Sequence, residues 1–244
     1  WLAADHGGCD LTPAARLDTA RYLDASRRAF TEAGSFQSID LNPTDIEPTA
    51  AGVRLPRLGV SAKAIIFCQG VGGIGNPWFP TVPYNPARGE VLTLRVPGLG
   101  ETRTVHRGVW LAPLGGDRFA AGSTYDRDDL TPAPTVAGRA AIETGLQSFL
   151  RLPFEVLDHR AGVRPVLLTT KPMLGVHPRF PGLAILTGLG SKGSLYAPYF
   201  ASQLILHLLY DRPIDPEVSL PPEPPSTPPN PAAATSPRSP TGPV

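Results

Sequence analysis

The sequence predicts a mixed α/β fold, α+β in part, because three kinds of segment alternate along its 244 residues. Residues 62–69 form a nearly continuous apolar run, which is typical of a strand covered on both faces of a sheet. Residues 89–125 read as short extended runs between glycine and aspartate turns, the pattern of antiparallel hairpins. Residues 183–210 read as an apolar strand, a glycine turn and a long apolar helix.

The amino-terminal part is predicted to hold one helix and three short strands. Asp18 is the expected N-cap of a helix over residues 19–33, and Gly34 is its expected stop. Leu23 and Phe30 fall on one face of this helix, so we expect that face to pack against the core. The predicted strands that follow cover residues 36–41, 53–58 and 62–69.

The middle of the chain is predicted to be a β-meander followed by a helix and another extended segment. Thr135 is the expected N-cap of a helix that runs to about Leu150. Residues 156–168 are expected to be extended. The predicted strands of the meander cover residues 90–96, 104–114 and 118–125.

Composition favours a small-molecule ligand over a macromolecule. The chain has 22 basic and 21 acidic residues, a net charge of +1 and no basic run, which argues against nucleic acid and anionic membranes as partners. A hydrophobic content of 41% is enough for a core. No apolar window is long enough to span a bilayer and the first residues lack a secretory signal, so we expect a cytoplasmic protein.

Further expectations concern Cys68, the two ends of the chain, the histidines and the serines. Cys68 ends the apolar run 64–68 and is expected to be buried and inert. The chain starts at Trp1, so we expect it to be a piece of a longer protein. Ten of the last 24 residues are proline, which predicts a disordered or polyproline-like tail. The five histidines lack metal-ligand spacing, and no serine lies in a nucleophile elbow, so neither a metal site nor a serine hydrolase is predicted.

Two glycine-rich turns follow predicted strands. Residues 70–75 match the spacing G-x-G-x-x-G, but Pro77 and Pro80 occupy the place where a dinucleotide-binding helix would begin, so we interpret the match as a simple strand-end turn. Residues 188–193 (Gly-Leu-Gly-Ser-Lys-Gly) lead directly into an apolar helix, whose free N–H groups suit an anion or an electron-rich ring. Lys192 adds a full positive charge there. The alternative is an ordinary strand-to-helix connection.

Arg164 is the most informative charged residue. It lies between Val163 and Pro165 in an extended, largely apolar segment, so its side chain leaves a stiff backbone. A guanidinium in such a place suits a carboxylate ligand. The alternative is a structural ion pair with Asp158 or Glu155.

With these residues in view, the chain resembles the carboxyl-terminal part of the D-amino-acid oxidase and glycine oxidase family of FAD-dependent oxidoreductases. The resemblance covers about residues 17–218. The element Gly162-Val-Arg-Pro165, followed by the glycine turn and the apolar helix, is its most specific part. The other segments that carry it are residues 65–70, 88–92, 110–113, 122–125 and 172–175.

The resemblance implies a partial FAD-binding domain of the glutathione-reductase-like type, joined to a substrate domain built on an antiparallel sheet. Residues 1–88 then hold a substrate-domain helix and strands returning to the FAD domain, residues 89–155 the substrate domain, residues 156–218 the last FAD-domain segment and residues 219–244 a tail. The implied reaction is oxidation of an amine or amino acid by hydride transfer to flavin.

The resemblance also implies roles for individual residues. Arg164 matches the arginine that binds the substrate carboxylate, and residues 188–194 match the segment that lies against the flavin. Lys192 would stabilise negative charge on the flavin. The implied cofactor-binding residues are Gly188, Gly190, Ser191, Gly193 and Ser194.

Two departures from the family pattern matter. No strand-turn-helix with a true glycine fingerprint precedes these segments, so the adenosine half of an FAD site is missing from this sequence. Ser191 stands where glycine oxidases carry a charged residue, so glycine is not the expected substrate. The alternative function is a non-catalytic remnant whose proline-rich tail, with runs at 221–225 and 228–231, binds partners.

Overall fold

The structure is a computed structural model that describes residue 3 and residues 7–221. Within that part of the chain there are three α-helices and eleven strands. The helices are α1 (Thr19–Glu32), α2 (Val136–Gln147) and α3 (Gly193–Tyr210). The strands are β1 (Glu47–Thr49), β2 (Gly52–Leu55), β3 (Val60–Ala62), β4 (Ile65–Phe67), β5 (Ala87–Arg95), β6 (Val105–Arg107), β7 (Val109–Gly115), β8 (Arg118–Gly122), β9 (Glu155–Arg164), β10 (Met173–Val176) and β11 (Leu183–Thr187).

A five-stranded antiparallel sheet is the largest unit, with strand order β6-β7-β8-β5-β9. Helix α2 packs on one face of this sheet. Side chains alternate between the two faces along β5, and those of Leu92 and Leu94 point to the face that the apolar side of α2 covers. This confirms the predicted antiparallel part, although residues 104–114 form two strands that turn at Gly108 (φ +74°). The core between sheet and helix contains Leu92, Leu94, Leu111, Phe119, Ile142, Leu146 and Phe149.

A second sheet has the order β10-β11-β4, in which β11 pairs parallel to β4 and antiparallel to β10. Helix α3 packs on β10 and β11 through Phe200 and Leu204, which meet Leu174 and Leu186. A third, small antiparallel sheet contains β1, β2 and β3. Parallel and antiparallel pairing together confirm the mixed α/β class.

The prediction of a covered strand over residues 62–69 is wrong in extent and in burial. Strand β4 has only three residues, and Ile65 and Ile66 are half-buried because β4 lies at the edge of its sheet in the described part of the chain. Cys68 lies beyond the strand end and is exposed, so the prediction of a buried thiol is wrong as well. The protein around it nevertheless raises the pKa of the Cys68 thiol through desolvation.

Both predicted N-caps are confirmed. Asp18 accepts a hydrogen bond from the backbone N–H of Arg21 (3.1 Å), and the hydroxyl of Thr135 accepts one from the N–H of Gly138 (3.0 Å). The predicted packing of α1 is wrong. None of its residues is buried, and Leu23 and Phe30 are 59% and 56% exposed, because its short apolar stripe is not covered by described residues.

Prolines account for two other strand ends. The predicted strand over residues 53–58 ends at Leu55, because Pro56 begins a 3-10 turn. The strand predicted over residues 36–41 is absent from the structure, so that prediction is wrong. Strand β9 likewise ends at Arg164, immediately before Pro165.

The remaining predictions concern the chain as a whole. The proline-rich tail lies outside the described residues. No helix among the described residues is long and apolar enough to cross a membrane. The same residues hold no cluster of three or more side chains suited to a metal ion. The division of the chain at residues 88, 155 and 218 stays a prediction.

Candidate active site

The glycine turn after β11 has the strand-turn-helix geometry that the sequence predicts. Gly188 and Gly190 adopt positive φ angles of +75° and +56°, which other residues rarely adopt. A 3-10 turn over residues 190–192 then leads into α3, and no side-chain hydrogen bond caps the start of this helix. The first N–H groups of α3 are therefore available to a ligand.

The residues that directly follow β9 pack against this turn. The Cγ2 atom of Val166 lies 3.7 Å from the position that a Cβ atom on Gly190 would take, and the side chain of Leu167 fills the space beside Gly188. A Cβ atom on Gly188 would lie 2.6 Å from Leu167, so the approach depends on glycine. The backbone that carries Arg164 thus continues, within three residues, onto the glycine turn.

The first glycine-rich segment, residues 70–75, lies close to the ends of β9 and β11. Residues 70–73 form a 3-10 turn rather than a helix, which confirms the interpretation of this motif as a strand-end turn. Gly70 faces Pro165 at 3.9 Å, and a Cβ atom on Gly73 would overlap with the hydroxyl of Tyr84. That hydroxyl lies 3.0 Å from Oγ1 of Thr187 at the end of β11.

Arg164 is half-buried, and its guanidinium is held by neutral groups. Nη1 donates to the carbonyl of Arg88 (3.2 Å), and Nη2 donates to Oγ of Ser123 (2.9 Å) and to the carbonyl of Thr124 (3.2 Å). Its Cζ atom lies 5.4 Å from the centroid of the Tyr125 ring. Burial lowers the pKa of Arg164, and the phenol of Tyr125 opposes that effect.

The alternative explanation of Arg164 as a structural ion pair is wrong. Asp158 pairs with Arg160 (3.1 Å), and Glu155 pairs with Arg95 (2.9 Å). Arg164 forms no ion pair with any described residue, and none of its hydrogen bonds reaches residues 188–194. A partly desolvated cation with only neutral partners is suited to bind an acidic group.

Gly89 creates the space for this guanidinium. A Cβ atom at this position would overlap with Cζ, Nη1 and Nη2 of Arg164, so the side chain runs across the bare backbone of β5. Residue 87 pairs with residue 164, which places Gly89 on the same face of the sheet. A glycine inside a strand indicates that another group approaches the backbone closely, but it does not indicate which group approaches.

The opposite face of β5 holds a buried charged network that sequence reasoning missed. Arg88 (4% exposed) forms ion pairs with Asp126 (2.7 Å) and Asp129, and Glu90 (1% exposed) lies 3.7 Å from it. Glu90 accepts hydrogen bonds from the N–H (2.9 Å) and hydroxyl (2.8 Å) of Thr135, the N-cap of α2. This network fixes the loop 123–131, which supplies the partners of Arg164.

Glu90 makes the network sensitive to acid. Burial raises the pKa of Glu90, but hydrogen bonds from Thr135 and the nearby His159 ring, whose Nε2 lies 2.7 Å away, outweigh burial and leave the pKa below its ordinary value. A carboxyl group with a depressed pKa in the folded state contributes stability above its unfolded pKa. That stability is lost as the pH falls below about 4.5.

We therefore expect Glu90→Gln to lower the free energy of unfolding by about 3 kcal/mol at pH 7, because it breaks a buried charged network. The variant should lose less stability than the native protein between pH 5 and pH 3. Urea unfolding at a series of pH values measures both effects. The exposed Glu155→Gln is the control, and equal acid sensitivity of the native protein and Glu90→Gln would contradict the assignment.

The structure places the predicted cofactor residues in two groups. Gly188 is buried and Gly190 and Gly193 are half-buried in the turn, whereas Ser191 and Ser194 are exposed beside it. Lys192 is exposed too, and its Nζ lies 5.7 Å from the ring centroid of Tyr196 in the second turn of α3.

Comparison with known proteins identifies the family of this chain. Residues 3–205 match the family model described as FAD dependent oxidoreductase (DAO). The iminodiacetate oxidase of Chelativorans sp. BNC1 is similar in fold, with a TM-score of 0.61 and 19% identity over 80% of this chain and 56% of that protein. Glycine oxidase from Geobacillus kaustophilus gives a TM-score of 0.56 and 24% identity over 70% of this chain and 48% of that protein.

A curated relative is more similar in sequence. The tRNA 5-methylaminomethyl-2-thiouridine biosynthesis bifunctional protein MnmC of Caulobacter vibrioides is 30% identical over 155 residues, which are 62% of this chain and 25% of that protein. The chain therefore spans about half the length of the solved structures and a quarter of this relative. From the match over residues 3–205, the chain belongs to the DAO family of FAD-dependent oxidoreductases, whose cofactor is FAD.

Proposed function

We propose that this chain is part of an FAD-dependent oxidoreductase that oxidises an amine or amino acid carrying a carboxylate. Arg164 binds that carboxylate, and residues 188–194 lie against the flavin. The observation that carries the proposal is the half-buried guanidinium of Arg164, which has no acidic partner among the described residues and lies on the strand that runs onto the glycine turn.

The glycine turn fits the flavin end of FAD. Gly188 and Gly190 carry no side chain and adopt positive φ angles, and the start of α3 has no capping side chain. Backbone N–H groups at a helix start favour negative charge, and Lys192 adds a cation beside them. Gly193 and Ser194 are the first residues of that helix.

The residues around Arg164 position the substrate. Ser123 and the carbonyl of Thr124 hold Nη2, which leaves donors on the remaining guanidinium nitrogens for a carboxylate. Fixing the carboxylate fixes the carbon and nitrogen next to it, which lowers the entropic part of the barrier. Bound FAD supplies the acceptor for the hydride that leaves the carbon bearing the substrate nitrogen.

The cofactor part of the proposal predicts that Gly190→Ala weakens FAD binding about tenfold in the full-length protein, because the added Cβ and the disfavoured backbone disturb the turn. Gly116→Ala is a matched control, since Gly116 has a similar φ of +60° (Gly190, +56°) in the turn between β7 and β8. Each variant should lose about 1 kcal/mol of folding stability.

The measurement is a titration of apoprotein with FAD, followed by flavin absorbance and fluorescence. Equal FAD affinity for both variants would contradict the placement of the flavin at residues 188–194. A full-length protein that retains no flavin at all would contradict the proposed function and favour the non-catalytic alternative.

A further inference from the structure

A second arginine, Arg127, lies beside the aromatic ring that Arg164 also approaches. The Cζ atom of Arg127 is 5.3 Å from the centroid of the Tyr125 ring, and that of Arg164 is 5.4 Å from the same centroid. The two guanidinium carbons are therefore within about 11 Å of each other. Two permanent positive charges at this separation repel each other unless anions compensate them.

Three carboxylates near these two arginines pair with a third arginine instead. Neither Arg127 nor Arg164 forms an ion pair with a described residue, whereas nearby Arg88 takes part in ion pairs with three carboxylates. Asp126 and Asp129, which flank Arg127 in the sequence, direct their side chains to Arg88. Two of the three aspartates of this loop thus pair with Arg88, and the third, Asp128, forms no ion pair with a described residue.

Arg127 is linked by hydrogen bonds to the segment that packs against the glycine turn of residues 188–193. Its Nη2 donates to the hydroxyl of Tyr125 (3.3 Å), and its Nη1 donates to the carbonyl of Asn85 (3.4 Å). The N–H of Asn85 donates to the carbonyl of Val166 (2.8 Å), the residue that packs beside Gly190. A guanidinium has five N–H donors, so most of those of Arg127 remain available to a ligand.

We propose that the substrate is an amine with two carboxylates, of which Arg164 binds one and Arg127, beside the same Tyr125 ring, binds the other. This inference rests on the proposed function and names the substrate class of the same site. Two acid groups a few bonds apart, as in a dicarboxylic amino acid, suit two guanidinium groups whose carbons lie within about 11 Å of each other. Arg127 then acts as the specificity-determining residue, since it binds only substrates with the second acid group.

The test compares succinate with butyrate, which lacks one carboxylate but is otherwise matched in length. Isothermal titration calorimetry on the full-length, FAD-loaded protein gives their dissociation constants without relying on turnover. We expect succinate to bind at least tenfold more tightly than butyrate. Arg127→Gln should remove this preference by weakening succinate binding, and Arg127→Lys should keep part of it.

Arg139→Gln is the control, because Arg139 is an exposed arginine on α2 that pairs with Glu143. It should leave both affinities unchanged. A native protein without preference for succinate, or a preference that survives Arg127→Gln, would overturn the inference. If Arg164→Ala loses butyrate binding but the native protein shows no preference for succinate, only the inference about Arg127 is overturned and the proposed function stands. Butyrate binding that is unaffected by Arg164→Ala would overturn the proposed function as well.

Kinetics provide an independent measurement. The ratio of kcat/KM for N-methylaspartate to that for N-methylalanine should be high in the native protein and should fall about tenfold in Arg127→Gln. An unchanged ratio would contradict a role of Arg127 in substrate selection.

Discussion

Arg164→Ala should reduce kcat/KM for amino-acid oxidation about 100-fold in the full-length protein. The change removes charge-assisted hydrogen bonds that together contribute on the order of 3 kcal/mol to carboxylate binding. Folding should be affected little, since the guanidinium has no ion pair among the described residues whose loss would leave a buried carboxylate alone. Steady-state kinetics with an amino acid and with the corresponding amine, which lacks the carboxylate, measure the effect.

The amine is the internal control, because its turnover should change far less than that of the amino acid. Arg160→Ala is the matched protein control. Arg160 lies on the same strand, but its side chain is 67% exposed and pairs with Asp158. Equal turnover of the amino acid by the native protein and by Arg164→Ala would rule out Arg164 as the carboxylate-binding residue.

Gly89→Ala should have an effect of similar size without removing any charge. The new Cβ would overlap with the guanidinium of Arg164, which is the flexible end of a side chain and moves away more easily than the strand does. Because the displaced guanidinium no longer meets the substrate carboxylate, kcat/KM should fall by about 10-fold to 100-fold. The melting temperature should fall by only a few degrees.

Gly162→Ala is the matched control for this variant. Gly162 is the direct cross-strand partner of Gly89, and a Cβ atom there meets nothing within 4 Å. Both variants place alanine in the same pair of strands, but only Gly89→Ala displaces Arg164. Similar kinetics for the two variants would show that the path of the guanidinium across β5 does not matter for activity.

The parts of the fold that depend on local sequence could be predicted. Asp18 and Thr135 each accept a hydrogen bond from a backbone N–H three residues later in the sequence, so their capping role could be predicted from the sequence. The same holds for the turn from β11 through Gly188 into α3, because strand, glycine and helix are contiguous. The prolines after residue 75 also indicated correctly that the first glycine motif does not begin a helix.

The parts that depend on distant contacts could not be predicted. The apolar run 62–69 indicates a buried strand, but its position at a sheet edge depends on pairing with β11, more than 100 residues away. Cys68 is exposed for the same reason. For Arg164, the sequence left an ion pair with an acidic residue of its own strand open as the alternative, whereas its partners include Ser123 and Thr124, which directly follow β8.

The most direct test of the central claim is a crystal structure of the full-length, flavin-bound protein with a simple carboxylate such as butyrate. We expect this carboxylate to lie within hydrogen-bond distance of the Arg164 guanidinium, with the flavin ring beside residues 188–194. A carboxylate bound elsewhere, or a protein carboxylate paired with Arg164 in the flavin-bound state, would contradict it.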